Sequence, residues 1–426
     1  MRTLILGAAV SGGAAAQLAS GLHHEVSIYD RSSESTIPLR EKGYAVHTGE
    51  WADRLLVGID LVVASPGFPE HAEPIQRALD LGIEIISELE FGSQHLTVPY
   101  VAVTGTNGKT TVTNTITDML NESSISAVSA GNIGTPVTGL GDTAAEVVVL
   151  EASSFQLRFI DRFHPVAAGI VNIAADHLDW HGSVAAYGAA KARIFENMTP
   201  NDIVVYGADD PGAVEVVASA ECRTIGVSGC AVSGDGVGPI GGSLQIDGKR
   251  FATPTTDPSW LTDLGIAAVM ASSVGATDAG IGRVLAGFVP GPHRRRTVGT
   301  YNGITWIDDS KATNPHAARA AAEAYPSVVL LAGGRNKDLD LSTIAPASVR
   351  HVVAFGEAAP SIASAVGAPV TVVEDLAAAV GAAGRIAEAG DTVLLAPGCA
   401  SFDQFDSYAS RGDHFAELVA ALEAAK

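Results

Sequence analysis

Short apolar runs recur along the chain, each bounded by glycine, proline or charged residues and separated by stretches long enough for a helix. In the first segment "RTLILGA", "HEVSIYD", "LVVASPG" and "IEIISE" read as strands. Strands spaced by helical lengths predict a parallel, doubly wound sheet. The pattern restarts at "VPYVAVTG" and runs on through "AEVVVLEASSFQL", "AAGIVNIAADHLDWHG", "DIVVYGADD" and "CRTIGVSG". A glycine-rich, weakly charged stretch between Gly229 and Gly248 predicts hairpin turns, and "TDLGIAAVMASSVGA" predicts a helix. Pro290 and Pro292 in "GFVPGPHRRRT" mark a linker. A third strand–helix alternation follows, with "GITWIDDS", "SVVLLAGG", "HVVAFG" and "DTVLLAPG" as strands and alanine-rich helices between them. The pattern therefore predicts an α/β protein of three domains, 1–95, 96–291 and 292–426, with no repeat of solenoid period. The opening "MRTLILGAAVSGGAAAQLAS" has the charge and apolarity of a signal peptide. Glycines at 7, 12 and 13 interrupt it, and "EVSIYD" follows at the distance a βαβ unit requires, so it reads as strand, turn and helix.

Composition narrows the picture. A chain of 426 residues exceeds one ordinary domain of about 100–200 residues. With 47% hydrophobic and 17% charged residues it supports large cores rather than disorder. A net charge of −21 argues against nucleic acid or an anionic membrane as partner, and it makes any local basic cluster informative. Cys222, Cys230 and Cys399 form no C-x-x-C pair, which fits a reduced, cytoplasmic protein without disulfides or a zinc site. No apolar run approaches the roughly 18 residues of a membrane span.

Three places carry candidate chemistry. The first is "VAVTGTNGKTT", where Gly105, Thr106, Asn107, Gly108, Lys109, Thr110 and Thr111 follow a strand and open a helix. Backbone amides and the helix dipole there favour an anion. Lys109 would reach the β- and γ-phosphates of a nucleotide and Thr110 would meet Mg²⁺. Val103 stands where the common G-x-x-x-x-G-K-[ST] loop has its first glycine, so this is a variant cradle. Glu151, at the end of "EVVVL", offers a carboxylate for the metal. "DHLDWH" gathers Asp176, His177, Asp179 and His181 without the further ligand a zinc site needs; a histidine serving a hard cation and a structural histidine are equally compatible with it. Lys191, in "AYGAAKARIFEN", reads from the residues alone as a solvated helix lysine. The second place is the turn Gly7-Ala8-Ala9-Val10-Ser11-Gly12, a degraded G-x-G-x-x-G whose middle glycine is Ala9, with Asp30 closing the next strand and "ASPGF" ending another. It predicts a Rossmann-like scaffold more strongly than it predicts NAD binding. The third is a set of strand ends, "IDDSKATNP", "GGRNK" and "APGCASFDQF", which this architecture brings to one sheet edge.

Taken in order, "GTNGKTT", "LEASSFQL", "DHLDWHG", "AAKARIFEN", "PHRRR", "DDSKATN" and "CASFDQF" resemble the Mur ligases over essentially the whole chain. The narrower motifs "LEASSFQL", "DSKATN" and "ASFDQF" resemble the branch that adds D-glutamate. The resemblance implies a Rossmann-like N-terminal domain for the UDP end of the substrate, a central P-loop ATPase domain, and a Rossmann-like C-terminal domain that closes on ATP. It implies ATP-dependent, ADP-forming addition of D-glutamate to UDP-N-acetylmuramoyl-L-alanine through an acyl phosphate, in cytoplasmic peptidoglycan precursor synthesis, by a monomer. Residue by residue, it implies that Ser11, Asp30, Arg31, Ser65 and Gly67 lie near the uridine and its diphosphate, and that Asn132 touches substrate. Lys109 and Thr110 would serve ATP and Mg²⁺, and Glu151 and His177 would each hold one of two Mg²⁺ ions. Lys191 would be carbamylated to N6-carboxylysine and support the second ion, reversing its bland reading. Arg294, Asp309 and Lys311 would reach ATP, and Thr313, Lys337, Ser401 and Tyr408 would form the D-glutamate pocket.

The chain also departs from the family's pattern. The N-terminal turn lacks its second glycine, and Tyr408 stands where phenylalanine is common. "GGRNKDLD" keeps the lysine but varies around it. "SWLTDLGIAA" replaces a His-Asn-x-x-Asn stretch whose asparagine touches adenine, which leaves the base contact open. Competing readings fit less of the chain. A folylpolyglutamate synthase would share the loop but not "LEASSFQL" or the N-terminal domain. A switch GTPase would need an N-K-x-D motif that is missing. A dehydrogenase leaves the phosphate loop without a role, and a binding-only protein does not account for metal and phosphate groups together.

Overall fold

The computed structural model describes residues 1–424. The chain divides into two compact units, one of Met1–Ile173 with Ala185–Phe288, the other of Ala174–Val184 with the chain from Val289 onward.

The first unit holds two all-parallel sheets. One contains β1 (Arg2–Leu6), β2 (Glu25–Asp30), β3 (Ala45–Thr48), β4 (Leu61–Ala64) and β5 (Glu84–Ser87), in the order β3-β2-β1-β4-β5. The other contains β6 (Tyr100–Thr104), β7 (Ala127–Gly131), β8 (Val147–Glu151), β9 (Ala167–Ile170), β10 (Ile203–Gly207) and β11 (Arg223–Val227), in the order β11-β10-β9-β6-β8-β7. In both sheets the chain reverses its direction of strand addition beside the first strand, β1 or β6, and this is where open α/β sheets bind ligands. The glycine-rich stretch forms a small antiparallel meander of β12 (Gly238–Ile240), β13 (Ser243–Ile246) and β14 (Lys249–Ala252).

The near-continuous apolar runs follow from burial on both faces. Ile5, Ile28 and Val63 pack on one side of the first sheet with Ala15, Ala16 and Ala19 of the Val10–Gly21 helix. Leu4, Leu6, Val62 and Ala64 pack on the other side with Ile75 and Ala78. The second sheet divides its residues in the same way, Val101, Val103 and Val149 against Ala102, Val148 and Leu150. The Pro258–Ser273 helix adds Leu261, Leu264, Ile266 and Met270 to the first of these cores.

The second unit is a six-stranded sheet of β15 (Arg296–Tyr301), β16 (Ile304–Asp308), β17 (Val328–Gly333), β18 (Val349–Phe355), β19 (Val370–Val372) and β20 (Thr392–Gly398), ordered β15-β16-β20-β17-β18-β19. All pairings are parallel except that of the edge strand β15, which forms a hairpin with β16. The strands the sequence pattern leaves out, β3, β7, β15 and β19, are sheet edges in every case. Their residues are only partly buried, so the apolar run that marks an interior strand is weak in them. Among the described residues, no helix is long and apolar enough to cross a membrane.

Candidate active site

The phosphate-loop candidate sits between β6 and the Lys109–Glu122 helix. Gly108 caps that helix at φ +84°, and a Cβ there would lie 2.5 Å from Asp263 Oδ1, so glycine is required by both conformation and space. The loop is held from below. The Thr106 amide donates to Asn172 O (2.9 Å) and the Asn107 amide to Asn172 Oδ1 (2.8 Å). Lys109 Nζ folds back onto Gly105 O (2.9 Å) and Thr106 O (3.0 Å). The first amides of the helix have no earlier turn to receive them, which is the arrangement that binds phosphate.

Lys191 overturns its reading as a solvated side chain. It is 1% exposed, donates to Gly105 O (2.8 Å) and Thr104 Oγ1 (3.3 Å), and lies 4.6 Å from the centroid of the Tyr187 ring. Two lysine nitrogens thus converge on one loop carbonyl. The one-residue apolar spacing around Lys191 gave no sign of this, because small alanines flank it on the buried face of its helix.

Glu151 pairs in register with Val103 of β6 and with Gly131 of β7. It is 2% exposed, and its Oε1 accepts from Asn132 Nδ2 (2.9 Å) while Oε2 has no hydrogen-bond partner among the described residues. A buried carboxylate oxygen left without a donor fits a bound cation. Lys191 as an ammonium does not fit one; as a carbamate it would. Asn132 is held on Glu151 by this bond and by its own amide, which donates to Glu151 O (2.8 Å).

The turn after β1 opens on a cavity of about 770 Å³. Ser11, Asp30, Arg31, Ser65 and Gly67 line it, and Asn132 does not. Tyr29, Trp51 and Phe68 give it an aromatic wall, with Trp51 edge-on to Tyr29 at 4.9 Å between ring centroids. Asp30 uses both oxygens on the backbone, accepting from the Ala8 amide (2.8 Å) and the Ser32 amide (2.9 Å). Ala9 has φ −72°, so the missing second glycine costs the turn nothing. Gly12 is the indispensable one, since a Cβ there would lie 1.8 Å from Gly7 O.

In the second unit the three strand-end loops are drawn together. Arg335 and Ala400 exchange backbone hydrogen bonds (2.8 and 3.0 Å), joining the Lys337 loop to the Ser401 loop. Arg411, fully buried, donates to Ser310 O and Oγ, Cys399 O and Gly333 O, and so reaches all three loops. Burial brings its guanidinium down to about 10. Sequence reasoning missed Arg411, because "SRGDHF" on the Tyr408–Ala424 helix looks like a solvated start. His293 Nδ1 meets Asp308 Oδ2 at 2.6 Å, and the Arg295 amide donates to Asp309 Oδ1 (3.2 Å). Burial pushes the Asp309 carboxyl up to about 6 against the pull of Arg295 and Arg294. Lys311 Nζ lies 5.1 Å from the centroid of the Tyr408 ring.

His177 and Asp176 belong to this second unit, whereas Glu151, Lys109 and Lys191 belong to the first. His177 is left-handed at φ 52°, held there by its amide bond to Asp176 Oδ1 (2.9 Å). Asp176 also receives Lys337 Nζ on Oδ1 (3.1 Å) and Asn314 Nδ2 on Oδ2 (3.2 Å). Burial works to raise the Asp176 carboxyl, but Lys337, His177 and Asn314 together outweigh it and hold it below the ordinary range.

Comparison with known proteins matches three family descriptions in order along the chain: a Mur ligase MurD-like N-terminal domain at 1–87, a Mur ligase middle domain at 103–235, and a Mur ligase glutamate ligase domain at 293–399. A UDP-N-acetylmuramoylalanine–D-glutamate ligase of Frankia casuarinae is 39% identical, with 99% of this chain and 94% of that protein covered. The chain belongs to the Mur ligase family. A second relative of the same description, from Mycolicibacterium smegmatis, is 36% identical over 99% of this chain and 96% of its own. Solved Mur ligases share the fold at lower identity. MurF of Acinetobacter baumannii gives a TM-score of 0.63 at 15% identity, covering 97% and 93% of the two chains. UDP-N-acetylmuramate–alanine ligase of Thermotoga maritima gives 0.58 at 18%, with 100% of each chain covered. Asp263, in the "SWLTDLGIAA" stretch, is buried, and a Cβ on Gly108 of the loop would lie 2.5 Å from its Oδ1.

Proposed function

We propose that this Mur ligase joins D-glutamate to UDP-N-acetylmuramoyl-L-alanine in peptidoglycan precursor synthesis, converting ATP to ADP and phosphate. The observation that carries the reading is the construction around Gly105. Two lysines gather on its carbonyl, helix amides open just beyond it, and a buried carboxylate with one oxygen to spare ends the neighbouring strand β8. Full-length relatives described as D-glutamate ligases support the choice of substrates.

The chemistry has two steps. The terminal carboxylate oxygen of the alanyl substrate attacks the γ-phosphorus of ATP; the bond to the bridging oxygen breaks, and ADP leaves. The amine nitrogen of D-glutamate then attacks the acyl carbon, the tetrahedral centre expels phosphate, and the amine gives up its proton as the amide forms. The chain's contribution to the first step is to bind, align and neutralise charge. Lys109 and the amides before Thr110 and Thr111 hold the phosphates. Thr110 and Glu151 would hold Mg²⁺, which supplies charge neutralisation when bound. Carbamylation of Lys191 would turn its nitrogen from a cation into a carboxylate-bearing group able to support a second ion, for which His177 is the other proposed ligand. Arg294, Asp309 and Lys311 are proposed to contact ATP. Ser11, Asp30, Arg31, Ser65 and Gly67 are proposed to bind the uridine diphosphate end in the cavity they line.

The test is ADP release with UDP-N-acetylmuramoyl-L-alanine, ATP and Mg²⁺, with D-glutamate, L-glutamate or no amino acid. Release that depends on D-glutamate supports the reading. Release driven by another amino acid keeps the ligase chemistry and discards the substrate.

A further inference from the structure

The D-glutamate residues expected from sequence, Thr313, Lys337, Ser401 and Tyr408, are all hydrogen-bond donors or cations, suited to carboxylates. None of them carries the negative charge that would pair with the third charge of the amino acid, its ammonium. That charge has to be accommodated, because an unpaired cation in a partly buried site is costly. The structure places one carboxylate on the expected anchor. Asp176 Oδ1 lies 3.1 Å from Lys337 Nζ, with Asp176 buried and Lys337 three-quarters buried. Asn314, itself 2% exposed, fixes the other Asp176 oxygen from the cap of the Pro315–Glu323 helix.

We propose that Asp176 is the ammonium-binding residue of the amino-acid site, and that the Asp176–Lys337 pair is the template into which an amino-acid zwitterion inserts. This rests on the D-glutamate ligase reading and adds a specificity-determining residue to it. The geometry matches the ligand. In an α-amino acid the nitrogen and the nearer carboxylate oxygen are on the order of 3 Å apart, a spacing set by covalent geometry alone. The protein pair has the same spacing and the opposite order of charge. Insertion exchanges one ion pair for two, the α-carboxylate on Lys337 and the ammonium on Asp176, so neither buried charge is stranded at any stage. Ser401 and Thr313 remain for the side-chain carboxylate. Asp176 thereby reads the feature that separates an α-amino acid from a plain dicarboxylic acid.

The experiment pairs D-glutamate with glutarate, which has both carboxylates and no amine. In the wild-type enzyme glutarate is expected to compete with D-glutamate at least about tenfold more weakly than D-glutamate binds, the worth of one charge-assisted hydrogen bond. Asp176→Asn keeps an oxygen for the His177 amide, removes the charge and gives up the acceptor that Asn314 uses. It is expected to raise the KM for D-glutamate about ten- to a hundredfold. The inhibition constant of glutarate should stay within about threefold, and the KM for ATP and the Mg²⁺ dependence should hold, because those depend on other contacts. Lys337→Met should weaken D-glutamate and glutarate together. Equal binding of glutarate and D-glutamate by the wild-type enzyme overturns the proposal without any variant having to fold. So does an Asp176→Asn enzyme whose D-glutamate KM is unchanged, or one in which glutarate weakens in parallel. A wild-type enzyme that releases no ADP with D-glutamate strikes the activity reading, and this proposal falls with it; the other failures strike this proposal alone.

Discussion

The first unit contains two versions of one local construction, and they are charged in opposite ways. β1 runs through Gly7 into the Val10–Gly21 helix, and β6 runs through Gly105 into the Lys109–Glu122 helix. Both turns sit where their sheet changes its direction of strand addition. At the first, a carboxylate fills the turn: Asp30 takes the Ala8 amide at 2.8 Å. At the second, two cations approach the turn, Lys109 and Lys191 both on Gly105 O, while the neutral Asn172 takes the Asn107 amide. A strand, a glycine turn and a helix N-terminus therefore do not by themselves specify a phosphate site. The amides offer one, and the side chain from a neighbouring element decides whether an anion still has room. The Asp30 cradle suits neutral or donor groups of a nucleotide, and the lysine cradle suits its phosphates.

The sharpest way to break this comparison is to remove the cation from the second cradle. Lys109→Ala is expected to lower turnover by about 10²–10³-fold or more, the loss found when one preorganised transition-state donor is deleted. The thermal midpoint should move little, because the side chain is only partly buried. Steady-state ADP release beside a melting curve checks this, and near-normal turnover would remove the loop from the mechanism.

The second lysine sharpens the comparison further. Lys191→Ala deletes a buried side chain that supports the loop carbonyl, and activity should fall by about 10²-fold or more. If the nitrogen works as a carbamate, short carboxylic acids should restore part of that activity over a concentration series, by supplying the missing carboxylate. If it works as the ammonium bonded to Gly105 O, alkylamines should rescue instead and acids should not.

These two lysines also mark how far the sequence could be read. The fold class, the interior strands and the anion loop were legible because each leaves a local trace: an apolar run, or glycines in register with Lys109. The turn of Ser11, Asp30 and the "ASPGF" strand end stood out as a Rossmann-like site, but a role for Ser11, Asp30, Arg31, Ser65 and Gly67 at the UDP end came only from family resemblance, and all five line one cavity. Lys191 and Arg411 were illegible from local pattern, since what matters about each is what another element brings to it; Asp176 stood out in "DHLDWH", but its pairing did not. Arg411 meets carbonyls from three different loops, and Asp176 meets Lys337, distant in sequence. The edge strands β3, β7, β15 and β19 were missed for a related reason, because half of an edge strand's environment is solvent and its pattern fades accordingly.

The glycines separate the two cradles on stability rather than catalysis. At the first cradle the constraint is packing at Gly12, where a Cβ would lie 1.8 Å from Gly7 O. Gly12→Ala must push the helix off the strand and is expected to cost about 1–3 kcal/mol, as overpacking does. Ala9→Gly, at the exposed position with ordinary backbone angles, should cost less than about 1 kcal/mol. Urea unfolding of both variants gives the contrast. Equal losses would mean that the turn, and not the helix–strand approach, sets the need for glycine.

The smallest expected effect tests the charge argument most directly. Asp30→Asn keeps an oxygen for the Ala8 amide in the turn, while giving up the one that takes the Ser32 amide and removing the negative charge from the first cradle. If the Asp30 carboxylate accepts a hydrogen bond from the nucleoside end of the UDP substrate, the KM for that substrate should rise about tenfold, one charge-assisted contact's worth. The KM for ATP should stay within about twofold, because the second cradle keeps its own side chains. A rise in both constants would mean that the variant has loosened the unit as a whole. A fall in the KM for the UDP substrate would reverse the argument: the carboxylate would then have been repelling the diphosphate, and the first cradle would be a phosphate site held in check by Asp30.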